Sequence, residues 1–190
     1  TLPDGMTALL PSGVTPNITQ DKKFIMQKNL TVAGSPEKGY YAFFSASDSD
    51  HGEELWVTDG TPEGTRMVKD INPGVATSDV NYLTRFNDKV VFSADNGEDG
   101  YQLWISDGTE EGTRMVKKIH EFDSSNPIGF CQMNETQFIF FASDYESENF
   151  SSEGAQKWLY VSDGTEEGTK LVAQVDCQFP GEDIDHRYGA

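Results

Sequence analysis

Short apolar runs, rather than a helical period, dominate the hydrophobic pattern of this chain. The segments 90–92, 103–105 and 138–141 are apolar at consecutive positions, and strands buried on both faces have such runs. The segment 114–119 instead mixes three apolar with three cationic residues, which indicates an outer strand with one solvated face. No window combines a helical period with capping residues. The pattern therefore predicts an all-β protein.

One stretch of the chain occurs three times. The sequence LWVTDGTPEGT at 55–65 returns as LWISDGTEEGT at 103–113 and as LYVSDGTEEGT at 159–169. The aspartates of the three copies are 48 and then 56 residues apart. A period near 50 residues is typical of repeat architectures, in which each copy is one supersecondary unit.

Turn-forming residues divide each copy into four predicted strands. In repeat two these strands are 80–86, 89–94, 101–106 and 113–119. Four short strands separated by turns about every ten residues are typical of all-β repeats. The other predicted strands are 23–33, 39–47, 54–58 and 65–71 in repeat one, and 138–143, 158–162 and 169–175 in repeat three.

Central strands that are buried on both faces, beside a partly solvated fourth strand, are the pattern of a propeller blade. The sequence thus predicts a β-propeller-like domain over 25–175, made of three four-stranded blades of about 48–56 residues. The predicted flanking segments are an N-terminal arm over 1–24 and a C-terminal tail over 176–190, the tail being a candidate part of a further blade.

Three blades leave two apolar faces that need a cover, because closed propellers have roughly four to eight blades. One alternative is that 1–24 and 176–190 build a partial fourth blade. A second is a homo-oligomer, in which a dimer completes a six-bladed ring. A third is that this chain is a piece of a longer protein. The sequence leaves the three open.

The repeated DGTxxGT loop has a structural interpretation that needs no ligand. An aspartate side chain can accept a hydrogen bond from a backbone N–H two residues on, as in an Asx turn. The two glycines can adopt a positive φ without a steric penalty, and the threonine hydroxyls extend the hydrogen-bond network. The predicted loop residues are Asp59, Gly60, Thr61, Gly64, Asp107, Gly108, Thr109, Gly112, Asp163, Gly164, Thr165 and Gly168.

These motifs resemble the bacterial ELWxxDGT-repeat proteins. The residues that carry the resemblance are ELWVTDGT at 54–61, GTRMVKDI at 64–71 and FSADNG at 92–97. The resemblance covers roughly 40–175, and repeat three departs from it because Tyr160 replaces the tryptophan. It implies a propeller-like, usually exported repeat protein, and it supplies no catalytic residues to transfer.

The charge balance narrows the classes of partner. The chain of 190 residues has 14 Lys and Arg against 32 Asp and Glu, for a formal net charge of −18. Such a surface repels phosphate backbones and anionic membranes, so we expect no nucleic-acid partner. No apolar run approaches the roughly 20 residues of a membrane span, so we also expect no membrane span.

Sequons favour a location outside the cell, and two cysteines permit one disulfide. Four N-x-S/T sequons are present, more than the asparagine content gives by chance, which predicts a secreted or cell-surface glycoprotein. Cys131 is predicted in the first strand of repeat three, and Cys177 follows its fourth strand. Those strands lie roughly 14 Å apart in one blade, so a disulfide forms only if 176–180 crosses back. The sequon asparagines are Asn17, Asn29, Asn134 and Asn149.

Two acidic loops that precede third strands are candidate calcium sites. The loops at 48–54 and 95–100 each place side-chain oxygens around a glycine, and Ca²⁺ takes about six to eight oxygen ligands. Neither loop has the full EF-hand pattern, so a solvated acidic loop is the alternative. The candidate ligands are Asp48, Asp50, Glu53, Asp95, Glu98 and Asp99. Calcium is the only cofactor that the sequence suggests.

The sequence favours a non-catalytic module that binds a protein or a glycan in adhesion. It has no nucleophile elbow, P-loop or Cys–His–Asn pattern. One alternative is a carbohydrate-active hydrolase or lyase with two carboxylates on one propeller face. A second is a purely structural repeat of a larger adhesin. Candidate sugar-stacking aromatics are Tyr40, Tyr41, Tyr101, Tyr145 and Phe150, although strand packing is the favoured role for the first two.

Overall fold

The computed structural model describes residues 30–121, 124–143 and 157–175. These residues form twelve β-strands and no helix. The arm predicted at 1–24, the tail predicted at 176–190 and the residues 25–29 lie outside the described residues. The strands are β1 Leu30–Ser35, β2 Gly39–Ala46, β3 Glu54–Thr58, β4 Arg66–Lys69, β5 Asn81–Phe86, β6 Lys89–Asp95, β7 Tyr101–Ser106, β8 Arg114–Lys117, β9 Ile128–Gln132, β10 Phe138–Ala142, β11 Lys157–Ser162 and β12 Lys170–Val175.

The strands form three antiparallel sheets of four, each in simple chain order. Sheet 1 contains β1 to β4, sheet 2 contains β5 to β8 and sheet 3 contains β9 to β12. The predictions of an all-β fold and of three four-stranded units are confirmed. In the described residues, no helix is long and apolar enough to cross a membrane.

Sheets 1 and 2 pack face to face through side chains at alternate strand positions. Phe43 and Leu55 of sheet 1 share a core with Phe92 and Trp104 of sheet 2. The rings of Phe92 and Trp104 are stacked, with centroids 6.5 Å apart. Trp104 is therefore a packing residue of the junction between two sheets, whereas Trp56 of the first copy packs with Phe44 and Ala46 of its own sheet.

Sheets 2 and 3 repeat this junction with equivalent residues. Leu103 and Ile105 of sheet 2 pack against Phe140 and Tyr160 of sheet 3. The Phe140 and Tyr160 rings are stacked at 5.4 Å, in the place that Phe92 and Trp104 take in sheet 2. At each junction the later sheet contributes a stacked pair of aromatic rings, and the earlier sheet contributes aliphatic side chains with one phenylalanine, Phe43 or Phe86.

The first strands of the three sheets lie next to one another. β1 contacts β5, and β5 contacts β9. The fourth strands β4 and β8 expose their first residue and bury their third, a valine. This one-sided burial confirms the predicted solvated face of the fourth strand.

One buried position ties each of the first two sheets to the connection that follows it. Glu54 is fully buried, and its carboxylate accepts from the backbone N–H of Ile71 at 2.9 Å and of Asn72 at 3.2 Å. Gln102 occupies the same position in sheet 2, where its Oε1 accepts from the N–H of Ile119 at 3.1 Å. A side-chain oxygen at this position accepts hydrogen bonds from backbone N–H groups that follow the fourth strand and lie outside the sheet ladder.

Burial raises the pKa of the Glu54 carboxyl above its ordinary value of 4.5, although hydrogen bonds from Ser78 and the backbone oppose this. The folded state therefore keeps this proton to higher pH than the unfolded chain does. The stabilisation that comes from the raised pKa of Glu54 is full below pH 4.5, and it is lost as the pH rises through the folded pKa. Glutamine does not titrate, so the stability of Glu54→Gln should not decrease in this way. We expect its free energy of unfolding, relative to the wild type, to increase from pH 4.5 towards neutrality.

Urea denaturation of both proteins between pH 4 and pH 7.5 measures this difference, and the titration of all other carboxylates cancels in the comparison. The variant is expected to fold because Gln102 already shows how an amide fits. Its Nε2 donates to the carbonyl of Asp99 at 2.9 Å, and His51 is the residue equivalent to Asp99 in sheet 1. In the reciprocal variant Gln102→Glu, the free energy of unfolding should decrease relative to the wild type as the pH rises. Parallel stability curves for wild type and Glu54→Gln would contradict the prediction.

Candidate functional site

Each DGT loop, meaning residues 59–65, 107–113 and 163–169, is closed by its own side chains. In the second loop, Asp107 Oδ1 accepts from the Thr109 N–H at 2.9 Å and the Thr109 hydroxyl at 2.7 Å. The Thr109 hydroxyl oxygen accepts in turn from the Gly112 N–H at 2.9 Å. The Thr113 hydroxyl donates to the Thr109 carbonyl at 2.6 Å. The corresponding bonds recur at Asp59, Thr61, Gly64 and Thr65 and at Asp163, Thr165, Gly168 and Thr169.

The two glycines of each loop are needed for different reasons. Gly60, Gly108 and Gly164 have φ values of 92°, 89° and 86°, where a side chain is strained. Gly112 does not have a positive φ of this kind, so its predicted role as a second positive-φ glycine is wrong. A Cβ built on Gly112 would instead lie 2.0 Å from Asp107 Oδ1. The carboxylate occupies the space that any side chain would need, and Gly64 and Gly168 show the same 2.0 Å approach.

Cationic side chains of one sheet bind the DGT loop of the next sheet. Arg66 Nη2 donates to the Gly108 carbonyl at 2.6 Å, and Lys69 Nζ donates to the Thr113 carbonyl at 3.0 Å. At the second junction, Arg114 and Lys117 make the same two bonds to the third loop, at 2.7 and 3.1 Å. Sequence reasoning did not find these residues. Their signal was the segment RMVK, which occurs at both 66–69 and 114–117.

Hydrogen bonding keeps the loop aspartates ionised. The bonds from the threonine two residues on hold the pKa of Asp59 and of Asp163 below the usual range. Burial acts in the opposite direction at Asp107, but the same threonine bonds outweigh it and its pKa is also lowered. All three carboxylates are therefore hydrogen-bond acceptors at neutral pH.

A cleft of about 360 Å³ opens between sheets 1 and 2 beside the first two DGT loops. Its wall is the β1–β2 hairpin, and Lys38 of this hairpin forms an ion pair with Asp88 of the β5–β6 turn at 2.5 Å. This pair raises the pKa of Lys38 and lowers that of Asp88. The lining includes Lys38, Gly39, Tyr41, Asp59, Arg66, Asp88, Asp107 and Thr109.

The acidic loops predicted to bind calcium lie at the opposite end of the sheets. Asp48 Oδ1 accepts from the N–H of Asp50 and of His51, both at 2.9 Å, and pairs with His51 Nδ1. Asn96 takes the place of Asp48 in the next sheet and accepts from the Asp99 N–H at 2.8 Å. The first acid of the loop is thus replaceable by an amide that makes the same turn.

The other candidate calcium ligands also have protein partners or are exposed. Asp95 Oδ1 accepts from the Gly97 N–H at 2.7 Å, and Asp99 pairs with Lys118 at 2.6 Å. Asp50 and Glu98 are exposed, and burial raises the pKa of Glu53. Within the described ranges, no three His, Cys, Asp or Glu side chains are grouped closely enough to hold a metal ion. Calcium binding stays a prediction.

The candidate aromatics separate into different environments. Tyr40 and Tyr41 are 50% and 39% exposed, so they are not core residues of their strand. Tyr101 is half-buried and donates its hydroxyl to Asp79 at 2.7 Å. Burial, followed by the interaction with Asp79, raises the pKa of Tyr101 to about 12. Tyr145 and Phe150 lie outside the described residues.

The sequons and cysteines are only partly within the described chain. Asn134 is exposed in the β9–β10 turn, where its Oδ1 accepts from the Thr136 N–H at 2.8 Å. Cys131 is exposed on β9, at the opposite edge of sheet 3 from β12, as predicted. Asn17, Asn29, Asn149 and Cys177 lie outside the described residues. Glycosylation and the disulfide therefore stay predictions.

Comparison with protein-family models, with curated proteins and with solved structures gives no match to this chain. The resemblance to ELWxxDGT-repeat proteins therefore depends on the motifs alone.

Proposed function

We propose that this chain is a non-catalytic, β-propeller-like module that acts outside the cell, secreted or at the cell surface, and binds a glycan or a protein in adhesion. The contacts of β1 with β5 and of β5 with β9 support a radial arrangement, because inner strands of blades meet around an axis. The same kind of junction between sheets 1 and 2 and between sheets 2 and 3 supports successive blades.

Within the cleft the carboxylates favour binding over hydrolysis, and the described carboxyls with a raised pKa, Glu53 and Glu54, lie outside it. A glycoside hydrolase needs one carboxyl whose pKa is raised, so that it can act as a general acid. Asp59, Asp88 and Asp107 line the cleft, and the pKa of each is lowered. Such groups hold a ligand through hydrogen bonds and are poor proton donors at neutral pH.

Screening on immobilised glycans and on purified extracellular proteins tests the proposed function. We expect saturable binding to at least one ligand, with no change in the mass of that ligand after prolonged incubation. Release of a cleavage product would overturn the proposal in favour of the hydrolase or lyase, and the absence of any saturable binding would favour the purely structural repeat.

The outer face of sheet 3 bears on how the array of sheets is closed. Val172 is 55% exposed, whereas its equivalents Val68 and Val116 are 4% and 3% exposed under the next sheet. Lys170 takes the position of Arg66 and Arg114, and Ala173 takes the position of Lys69 and Lys117. The outer face of sheet 3 therefore differs from the outer faces of sheets 1 and 2, which the next sheet covers. Closure by the chain itself predicts a monomer in light scattering, and closure by a second copy predicts a dimer.

A further inference from the structure

We propose that the cleft between sheets 1 and 2 is a binding subsite for a neutral carbohydrate, with Tyr41 as its stacking platform. The inference rests on the proposed function and names the ligand class and the location of the site. It depends on the shape of one hairpin and on the chemistry of the lining.

The cleft is built by an extension that only the first hairpin has among the three described. Strand β2 pairs Ala42 with Thr58 at the end of β3, so 39–41 project beyond that strand. In sheet 2, Val90 pairs with Ser106, and only Lys89 projects. Two additional residues of β2 therefore form a wall beside the DGT loops. The volume of about 360 Å³ falls within the range of small-ligand pockets.

The Tyr41 ring lies over Gly39 and has one hydrogen bond within its own hairpin. Its hydroxyl donates to the carbonyl of Lys38 at 3.4 Å, and a Cβ on Gly39 would meet the ring at 3.9 Å. The ring is nevertheless 39% exposed. An aromatic ring that is fixed on one side and open on the other packs against the C–H face of a sugar with little loss of side-chain entropy.

The polar lining offers acceptors and donors together. Asp59 and Asp107 are ionised acceptors at the edge of the cleft. The side chains of Arg66 and Lys38 each donate one described hydrogen bond, although a guanidinium has five N–H donors and an ammonium three. Sugar hydroxyls both donate and accept, so they match this mixture.

The charge of the lining selects among carbohydrates. Three carboxylates, Asp59, Asp88 and Asp107, face two cations, Lys38 and Arg66. The chain as a whole carries a formal charge of −18. A uronic or sialic acid would therefore be repelled on approach and within the cleft, and a neutral sugar would not.

The test measures binding of neutral trisaccharides to the full chain by titration calorimetry, with maltotriose, cellotriose, mannotriose and N-acetylchitotriose as probes. Tyr41→Ala should weaken the best of these on the order of tenfold, because the stacking surface is lost. Tyr41→Phe should bind like the wild type. Tyr40→Ala is the matched control, since Tyr40 is 50% exposed and does not line the cleft, its side chain lying on the other face of the strand.

Three results would overturn the inference. Equal weakening by Tyr40→Ala and Tyr41→Ala would place the effect in the hairpin as a whole. Unchanged binding by both variants would place the carbohydrate site elsewhere and leave the proposed function intact. Absence of trisaccharide binding by the wild type would remove this subsite, and the protein arm of the earlier screen would then decide the proposed function alone. Circular dichroism of each variant verifies that the sheets are retained.

Discussion

Replacement of Trp104 by alanine is expected to lower the free energy of unfolding by about 3–5 kcal/mol, the usual cost of removing a buried aromatic side chain. Trp104 is 6% exposed and lies in the core that sheets 1 and 2 share. Its indole nitrogen has no hydrogen-bond partner within the described part of the chain. The side chain therefore stabilises the junction through packing, and alanine would leave a cavity between two sheets.

Trp104→Tyr is the control for this prediction. Tyr160 takes the equivalent position in sheet 3, where it is 4% exposed and stacks on Phe140 as Trp104 stacks on Phe92. We expect the tyrosine variant to lose clearly less than the alanine variant, because most of the aromatic surface stays buried. Urea denaturation followed by circular dichroism measures both. A loss below about 1 kcal/mol for alanine would show that Trp104 does not hold the two sheets together.

The strands were predictable because the same order of apolar runs and turn-forming residues occurs in each repeat. In repeat two, the predicted strand at 101–106 matches β7, and the segment at 89–94 differs from β6 by one residue. Comparison of three copies separates positions fixed by packing from positions that vary, which one copy alone does not permit. The structural role of the DGT loop followed for the same reason.

The junctions were not predictable because their acceptors leave no mark in the sequence. Arg66 and Lys69 donate to the carbonyls of Gly108 and Thr113, which lie 42 and 44 residues further along. Every residue has a carbonyl group, so no residue type identifies these acceptors. The hydrophobic pattern of 114–119 indicates only a strand with one solvated face. That interpretation is correct for β4 and β8, but it does not say what the cationic side chains reach.

The cleft was hidden for a different reason. The cleft depends on how far 39–41 project past the end of β3, and this follows from the strand register. The hydrophobic pattern indicates which face of a strand is buried, but it does not say where the partner strand ends. The prediction that Tyr40 and Tyr41 pack within their strand was reasonable for a run of aromatic and apolar residues. Their exposure follows because β3 ends opposite Ala42, so that only β1 pairs with them, through Ala33 and Gly34.

Replacement of Gly112 by alanine is expected to destabilise the protein by roughly 2–4 kcal/mol, from overpacking and from lost hydrogen bonds. The new Cβ would lie 2.0 Å from Asp107 Oδ1, so the carboxylate must leave the Thr109 N–H and hydroxyl. Gly60→Ala is the comparison, because that position has open space but a φ of 92°. It should cost only about 1–2 kcal/mol, the penalty of a left-handed conformation.

A double-mutant cycle with Asp107→Ala isolates the cause. If the carboxylate is what excludes a side chain, its removal frees the space, and Gly112→Ala then becomes harmless in the Asp107→Ala background. We expect a small gain of about 0.5 kcal/mol there, since alanine reduces the conformational freedom of the unfolded chain at a position without a positive φ. Urea denaturation of the four proteins gives the coupling energy. Equal costs of Gly112→Ala in both backgrounds would mean that backbone conformation, and not the Asp107 carboxylate, requires glycine in the loop.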